Sequence, residues 1–411
     1  MPLPGVKTTI LDRFYNQSRT DLPGGPLVTA VAKRGIADPG GAPDLTPYFA
    51  TSEQDVIAKF GENSHIHKAY YELSTSGAPR ISLIALPSDS VFNQTTGVIT
   101  SATSGVDDIF AGAVAAAESG RTDVLVLWGS GSTTTDWDDF NTPATPDGGL
   151  DDYFYADNNS TVSNSWVKKL ADACATVTLN SHPMIGVIGV KGIAGQETPT
   201  PAQIADGMSF TKLIEKENIA VNAGHLVSVV GTEVHILGAP LSWGWSNGAC
   251  AYAASVVRLD SWSSTTGKPV FNVDRVRYNP TRSQLETMTE KGIVPVQIDF
   301  SRSPRWVDGL TFAKEASDYG RLTTVRIVFD AVKLVRSIAQ SYIGETMSID
   351  RQQAFQTQIS SAMQSMQRLG ALNNADFRVV YAPRDNKASV DLALTPAFEL
   401  REVYISVSVN F

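Results

Sequence analysis

From about residue 105 to 260, the apolar positions switch repeatedly between a helical and an extended period. DDIFAGAVAAAESG carries apolar residues at helical spacing and predicts a helix ending at Gly120, and the continuous apolar run DVLVLWG behind it predicts a strand buried on both faces. VSNSWVKKLADACATV and MIGVIGV repeat the pair, and PAQIADGMSFTKLIEKE and HLVSVVG repeat it again. Alternation of this kind predicts a central α/β layer with a substantially parallel sheet. An acidic loop containing glycine and proline interrupts it at 129–161.

The flanking regions have different patterns. In 26–90, LVTAVAKRG predicts a strand and SEQDVIAKFG a helix begun by Ser52. HKAYYELSTSG predicts a helix ending at Gly77, and PRISLIAL a closing strand. The last third carries two long helical patterns, about 311–343 and 348–369. They meet at Gly344, with Ser348 as N-cap, and the strands FRVVYA and ASVDLAL follow. The expected organisation is multi-domain, α/β plus α+β. It comprises an arm (1–25), a small mixed domain (26–90), an α/β domain (91–280), a helix-and-sheet domain (281–400) and a terminal strand (401–411).

The two end segments are distinctive. Pro2, Pro4 and Gly5 on one side and Pro23, Gly24, Gly25 and Pro26 on the other isolate Val6–Phe14, in which Val6, Thr8 and Ile10 share one face when extended. At the other end Val403, Ile405, Val407 and Val409 alternate with Ser406, Ser408 and Asn410, an amphipathic strand of high β-propensity. Two readings stand: an edge strand folded back into its own domain, or a strand donated to a neighbouring subunit. Two donated arms per chain would link each copy to two neighbours, a geometry that generates rings or open helical polymers.

Composition removes several function classes. Among 411 residues, 33 Lys and Arg stand against 42 Asp and Glu, a net charge of −9. An overall basic nucleic-acid binder is therefore not expected. No apolar run of about 20 residues spans a bilayer, so no membrane partner is expected. MPLPGVKTTILDRF lacks a basic segment followed by an apolar one, so no secretory leader is expected either. Two cysteines, Cys174 and Cys250, form no disulfide framework, and two buried free thiols are the simpler reading.

Four features resemble chemistry. Gly244-Trp245-Ser246-Asn247-Gly248 fits the nucleophile-elbow pattern, between EVHIL and a helix-like run. All five histidines (65, 67, 182, 225 and 235) precede Ser246, however, so a hydrolase using it would need a permuted triad with His225 or His235. His65 and His67 form an H-x-H pair that lacks further obvious ligands, and surface histidines are the expected reading. Gly129-Ser130-Gly131-Ser132 lacks the Lys-Ser/Thr of a phosphate loop. Asp136, Asp138, Asp139, Asp147, Asp151, Asp152 and Asp157 match no calcium-loop spacing and predict a solvated acidic insertion. No catalytic residue, metal or cofactor is expected.

Taken in order, the segments resemble the contractile tail sheath proteins of myophages, R-type bacteriocins and related injection machines. The resemblance rests on Pro4-Gly5-Val6, the stretch Leu27–Ser64 with Arg34-Gly35 and Phe60-Gly61, and YYELSTSGAPRISLIAL. It continues through GAPLSWGWSNGACAYAASVVRLDSWSSTTGKP, Tyr319-Gly320-Arg321-Leu322, Gly370-Ala371-Leu372, FRVVYAP and PAFELREVYISVSV. Ser303-Pro304-Arg305-Trp306 departs from the family's usual run. The resemblance implies a structural subunit stacked as six-fold rings in a helical array around a tail tube protein, with baseplate and tail terminator proteins as further partners. It places the subunit in a virion tail assembled in the host cytoplasm. The N-terminal arm and C-terminal strand would complete a sheet in neighbouring subunits through Val6, Thr8, Ile10, Val403, Ile405, Val407 and Val409. Arg326, Lys333 and Arg336 share a helical face that could meet an acidic tube, against intrahelical pairing with Asp330.

Overall fold

The computed structural model describes residues 25–35, 44–88, 90–93, 98–100, 108–128, 130–131, 166–180, 182–189, 223–277, 279–290, 292–298, 303–313, 317–397 and 399. Both end segments, the helix expected at 201–217 and nearly all of the acidic loop lie outside them.

Strand β1 (Leu27–Lys33) leads to a short β2 (Pro47–Phe49) and to helices α1 (Glu53–Phe60) and α2 (His65–Thr75). Ser52 and Ser64 cap these helices, accepting from the backbone N–H of Asp55 and His67. Then come β3 (Arg80–Leu86), the hairpin β4 (Val91–Asn93) and β5 (Val98–Thr100), and α3 (Ile109–Ser119), capped by Asp108. β6 (Val124–Leu127), β7 (Ser130–Gly131), α4 (Trp166–Asn180) and β8 (Ile185–Gly189) follow. The middle of the chain continues with β9 (Val227–Val230), β10 (Val234–Ile236), β11 (Trp245–Ser246) and α5 (Ala249–Arg258).

The principal sheet has seven strands. β6, β8 and β9 lie in it beside β1 and β3, β2 closes one edge, and β13 (Ile293–Val294) closes the other. Every pairing in it is parallel except β2 with β3. The parallel layer read from 105–260 is thus present, and it also takes in β1 and β3 from the first ninety residues. Near-continuous burial along β1, β6, β8 and β9 explains their predominantly apolar runs. α5 crosses this sheet as a core helix, with every residue from Ala249 to Val257 buried. Its alanines allow that close approach.

A second sheet joins β10, β11 and β7 to β12 (Val273–Val276). α6 (Arg282–Glu290) precedes β13, and β14 (Val296–Ile298) pairs with β15 (Pro304–Trp306). The C-terminal part is an antiparallel pair of helices, α7 (Leu322–Gln340) and α8 (Ile349–Arg368), beneath the hairpin of β16 (Leu372–Ala382) and β17 (Lys387–Pro396). Ser348 caps α8 as expected, and Gly344 takes a φ of +86° in the turn.

The first of the two long helical patterns is shorter than read. Its opening stretch is held as a non-helical loop: Leu310 bridges Arg321, Thr311 N–H donates to the Gly320 carbonyl, and Arg321 pairs with buried Asp308. Phe312 and Tyr319 are apolar because they anchor this loop in the core.

Candidate functional site

Ser246 is only 6% exposed and lies within β11. Its hydroxyl donates to Glu72 Oε2 at 2.5 Å and accepts from Gly248 N–H at 3.1 Å. Glu72, on α2, also receives the Trp128 indole N–H at 2.7 Å and the Ala251 N–H at 2.9 Å. One buried carboxyl therefore ties α2, the end of β6 and the first turn of α5 together, at the helix end where negative charge is favoured. Burial raises the Glu72 pKa, and the donors from Ser246, Trp128 and Ala251 pull it back down.

The permuted triad does not assemble. His235 Nδ1 lies 2.7 Å from Asp274 Oδ1, but its Nε2 has no hydrogen-bond partner among the described residues, and the serine proton is committed to Glu72. His225 stacks on Tyr319 with ring centroids 4.8 Å apart. The hydrolase reading thus finds no support in the geometry. What resembled a nucleophile elbow is a glycine-flanked turn, with Gly248 at φ +71°, packed under a core helix.

The other chemical candidates also resolve into structure. His67 is not a surface residue: it is 2% exposed, accepts from Asn63 N–H through Nδ1 and meets Glu53 through Nε2 at 3.1 Å. His65 packs against Trp128 instead of sharing a site with it. Ser130 and Gly131 pair with Ser246 and Trp245 as β7, and Gly129 and Ser132 lie outside the described residues. No group of three or more His, Cys, Asp or Glu converges as a metal site among the described residues. Cys174 and Cys250 are both free and buried, and burial raises their pKa values.

Arg326, Lys333 and Arg336 face inward from α7. Arg326 donates to the Leu259 carbonyl at 2.5 Å, beyond the end of α5. Arg336 donates to the Thr178 carbonyl at 3.2 Å, in the last turn of α4, and Lys333 pairs with Asp123 at the start of β6. Cations thus sit at two helix C-termini, where the dipole favours them. Together the three residues line one cleft of about 480 Å³ beside the starts of β6 and β8.

The surface suited to assembly is the hairpin. Ala375, Phe377, Val379 and Tyr381 of β16 and Val390, Leu392 and Leu394 of β17 turn towards the core, and the Tyr381 hydroxyl donates to the Gln352 carbonyl on α8 at 3.1 Å. Asp376, Arg378, Ser389 and Asp391 face outward. Among the described residues the sheet has two strands only, and neither long edge is paired with another described strand.

Sequence reading missed the contact beside this hairpin. Glu399, just after β17, accepts from the Thr266 hydroxyl at 2.5 Å, and Thr266 also touches the Asp308 carboxylate that pairs with Arg321. These residues are spread over more than a hundred positions, and no spacing rule joins them.

The sequence matches no protein-family model, and no curated protein matches it. Solved structures do. The chain aligns with a chain of the six-fold symmetrised baseplate of the anti-feeding prophage at 13% identity and a TM-score of 0.65, over 100% of both chains. It aligns with the helical sheath of the anti-feeding prophage in its contracted state at 16% identity and a TM-score of 0.59, again over 100% of both. A sheath tail protein from Desulfitobacterium hafniense is 9% identical with a TM-score of 0.56, covering 99% of this chain and 100% of that one. From end to end, this chain has the fold of the sheath proteins of contractile tails and injection systems.

Proposed function

We propose that the protein is a structural sheath subunit. It polymerises as stacked six-fold rings around a tail tube, meets a baseplate at one end and a terminator at the other, and contracts to drive the tube through a cell envelope. The observation that carries this reading is the correspondence with sheath chains over essentially the whole length of both partners. The two-stranded hairpin of β16 and β17, whose edges pair with no other described strand, supports the linkage: an N-terminal arm containing Val6, Thr8 and Ile10 and a C-terminal strand containing Val403, Ile405, Val407 and Val409 would add to it from neighbouring subunits.

Such a linkage lets subunits slide and rotate while remaining joined. The work of contraction would come from an extended lattice trapped at assembly, which relaxes to a state burying more surface. Electron microscopy of the concentrated protein tests the proposal. Hollow striated tubes are expected, and a uniform population of monomers at every concentration would overturn it.

A further inference from the structure

Where α3 ends, the residue at the turn is not the one its backbone favours. The N–H groups of Arg121 and Thr122 bond to the carbonyls of Glu118 and Ala117, each at 3.1 Å, which closes the helix through a residue in the left-handed region. Glycine is the usual occupant of such a position, because a Cβ crowds the neighbouring carbonyl there. The sequence has Gly120 one place earlier and Arg121 at the turn itself, with φ +55°. Among the described residues the exposed Arg121 side chain has no ion pair or hydrogen bond that would explain this choice. It lines the cleft of about 480 Å³ beside α7.

A second polar group in the cleft is also unused. Ser261, just beyond α5, is 5% exposed, and its buried hydroxyl bonds to nothing among the described residues. Such a group costs stability unless something supplies a partner. Val256 and Val257 of α5 and Phe329 of α7 give the cleft an apolar wall. The other cations that line it are committed: Arg326 bonds to the Leu259 carbonyl, Arg336 to that of Thr178, and Lys333 to Asp123. The carboxylates of Asp123 and Asp330 share the lining, so a ligand of high negative charge would be repelled.

We infer that this cleft is a binding site for a small amphipathic monocarboxylate. Arg121 receives the carboxylate through its guanidinium fork, Ser261 hydrogen-bonds a polar atom further along the ligand, and the apolar body lies against Val256, Val257 and Phe329. The bound molecule touches α5, α7 and the turn before β6, so it braces the C-terminal helices against the parallel layer. The site lies within one chain and does not depend on the sheath reading.

Saturation-transfer NMR on the full-length protein, which works on monomers and polymers alike, tests this with N-acetyltyrosine as the carboxylate probe and N-acetyltyrosinamide as its uncharged counterpart. Transfer to the carboxylate and none to the amide is expected, with binding weakened about tenfold or more by Arg121→Gln and by a smaller factor by Ser261→Ala. Arg121→Gly separates binding from folding: it is expected to raise Tm, by relieving the left-handed strain, while abolishing binding. Absence of transfer to N-acetyltyrosine at millimolar concentration would overturn the inference, as would equal transfer to the amide or binding unchanged in Arg121→Gln. A lower Tm for Arg121→Gly would overturn it too, by showing that the arginine is kept for the fold. None of these outcomes bears on whether tubes form.

Discussion

Ser246 sits in a motif that resembles a catalytic one, and its bond to Glu72 serves the fold instead. Glu72 binds a serine hydroxyl, an indole N–H and a helix N–H, each from a different part of the chain. Ser246→Ala removes one donor to a buried carboxyl and is expected to cost about 1.5–3 kcal/mol. Chemical denaturation would read that loss, and an ester-hydrolysis assay would show no difference between the variant and the parent. The sign of the pH effect follows from burial, which raises the folded-state pKa of Glu72 above the ordinary 4.5. Its contribution to stability is fully present below pH 4.5 and is lost as pH rises through the folded-state value. E72Q does not titrate, so the parent's Tm should fall relative to that of E72Q as pH is raised from acid to neutral. The limiting slope is about 1.4 kcal/mol per pH unit. Parallel pH profiles would contradict it. The sequence singled out Ser246 and its flanking glycines, but Glu72 lies 174 residues away and no spacing rule reaches it.

At the level of elements, periodicity carried most of the fold and failed where tertiary contacts overrode it. β1, β3, β6, β8 and β9 were legible as apolar runs, and Ser52 and Ser348 as helix starts. What periodicity lacks is adjacency: nothing local says that β1 lies between β3 and β6. The apolar spacing ahead of α7 was misread because Phe312 and Tyr319 are buried from a loop, pinned by Asp308 and Arg321. Arg326, Lys333 and Arg336 were correctly placed on one helical face, yet their partners are carbonyls and a carboxylate on α4, α5 and β6 that only the packed structure supplies. Elements pack closely at Gly189, where an added Cβ would come within 2.0 Å of the Asn247 carbonyl oxygen. Gly189→Ala should therefore push β8 away from the turn before α5 and destabilise the protein by about 1–3 kcal/mol. A thermal melt indistinguishable from the parent's would show that this turn yields freely.

For the molecule as a whole, the order of landmarks was more informative than any motif. Identities of 9% to 16% leave little for residue-by-residue comparison, yet the same succession of elements covers the chain from end to end. A fold constrains burial and strand pairing more than residue identity, so very different sequences satisfy it. The hairpin of β16 and β17 is central to the proposed linkage because, among the described residues, neither of its edges pairs with another strand. The most direct measurement compares the full-length protein with a truncation lacking 402–411, imaging both by negative-stain electron microscopy after circular dichroism has shown that each is folded. The account predicts striated tubes from the full chain and folded, unpolymerised subunits from the truncation. Tubes formed equally well without residues 402–411 would contradict it.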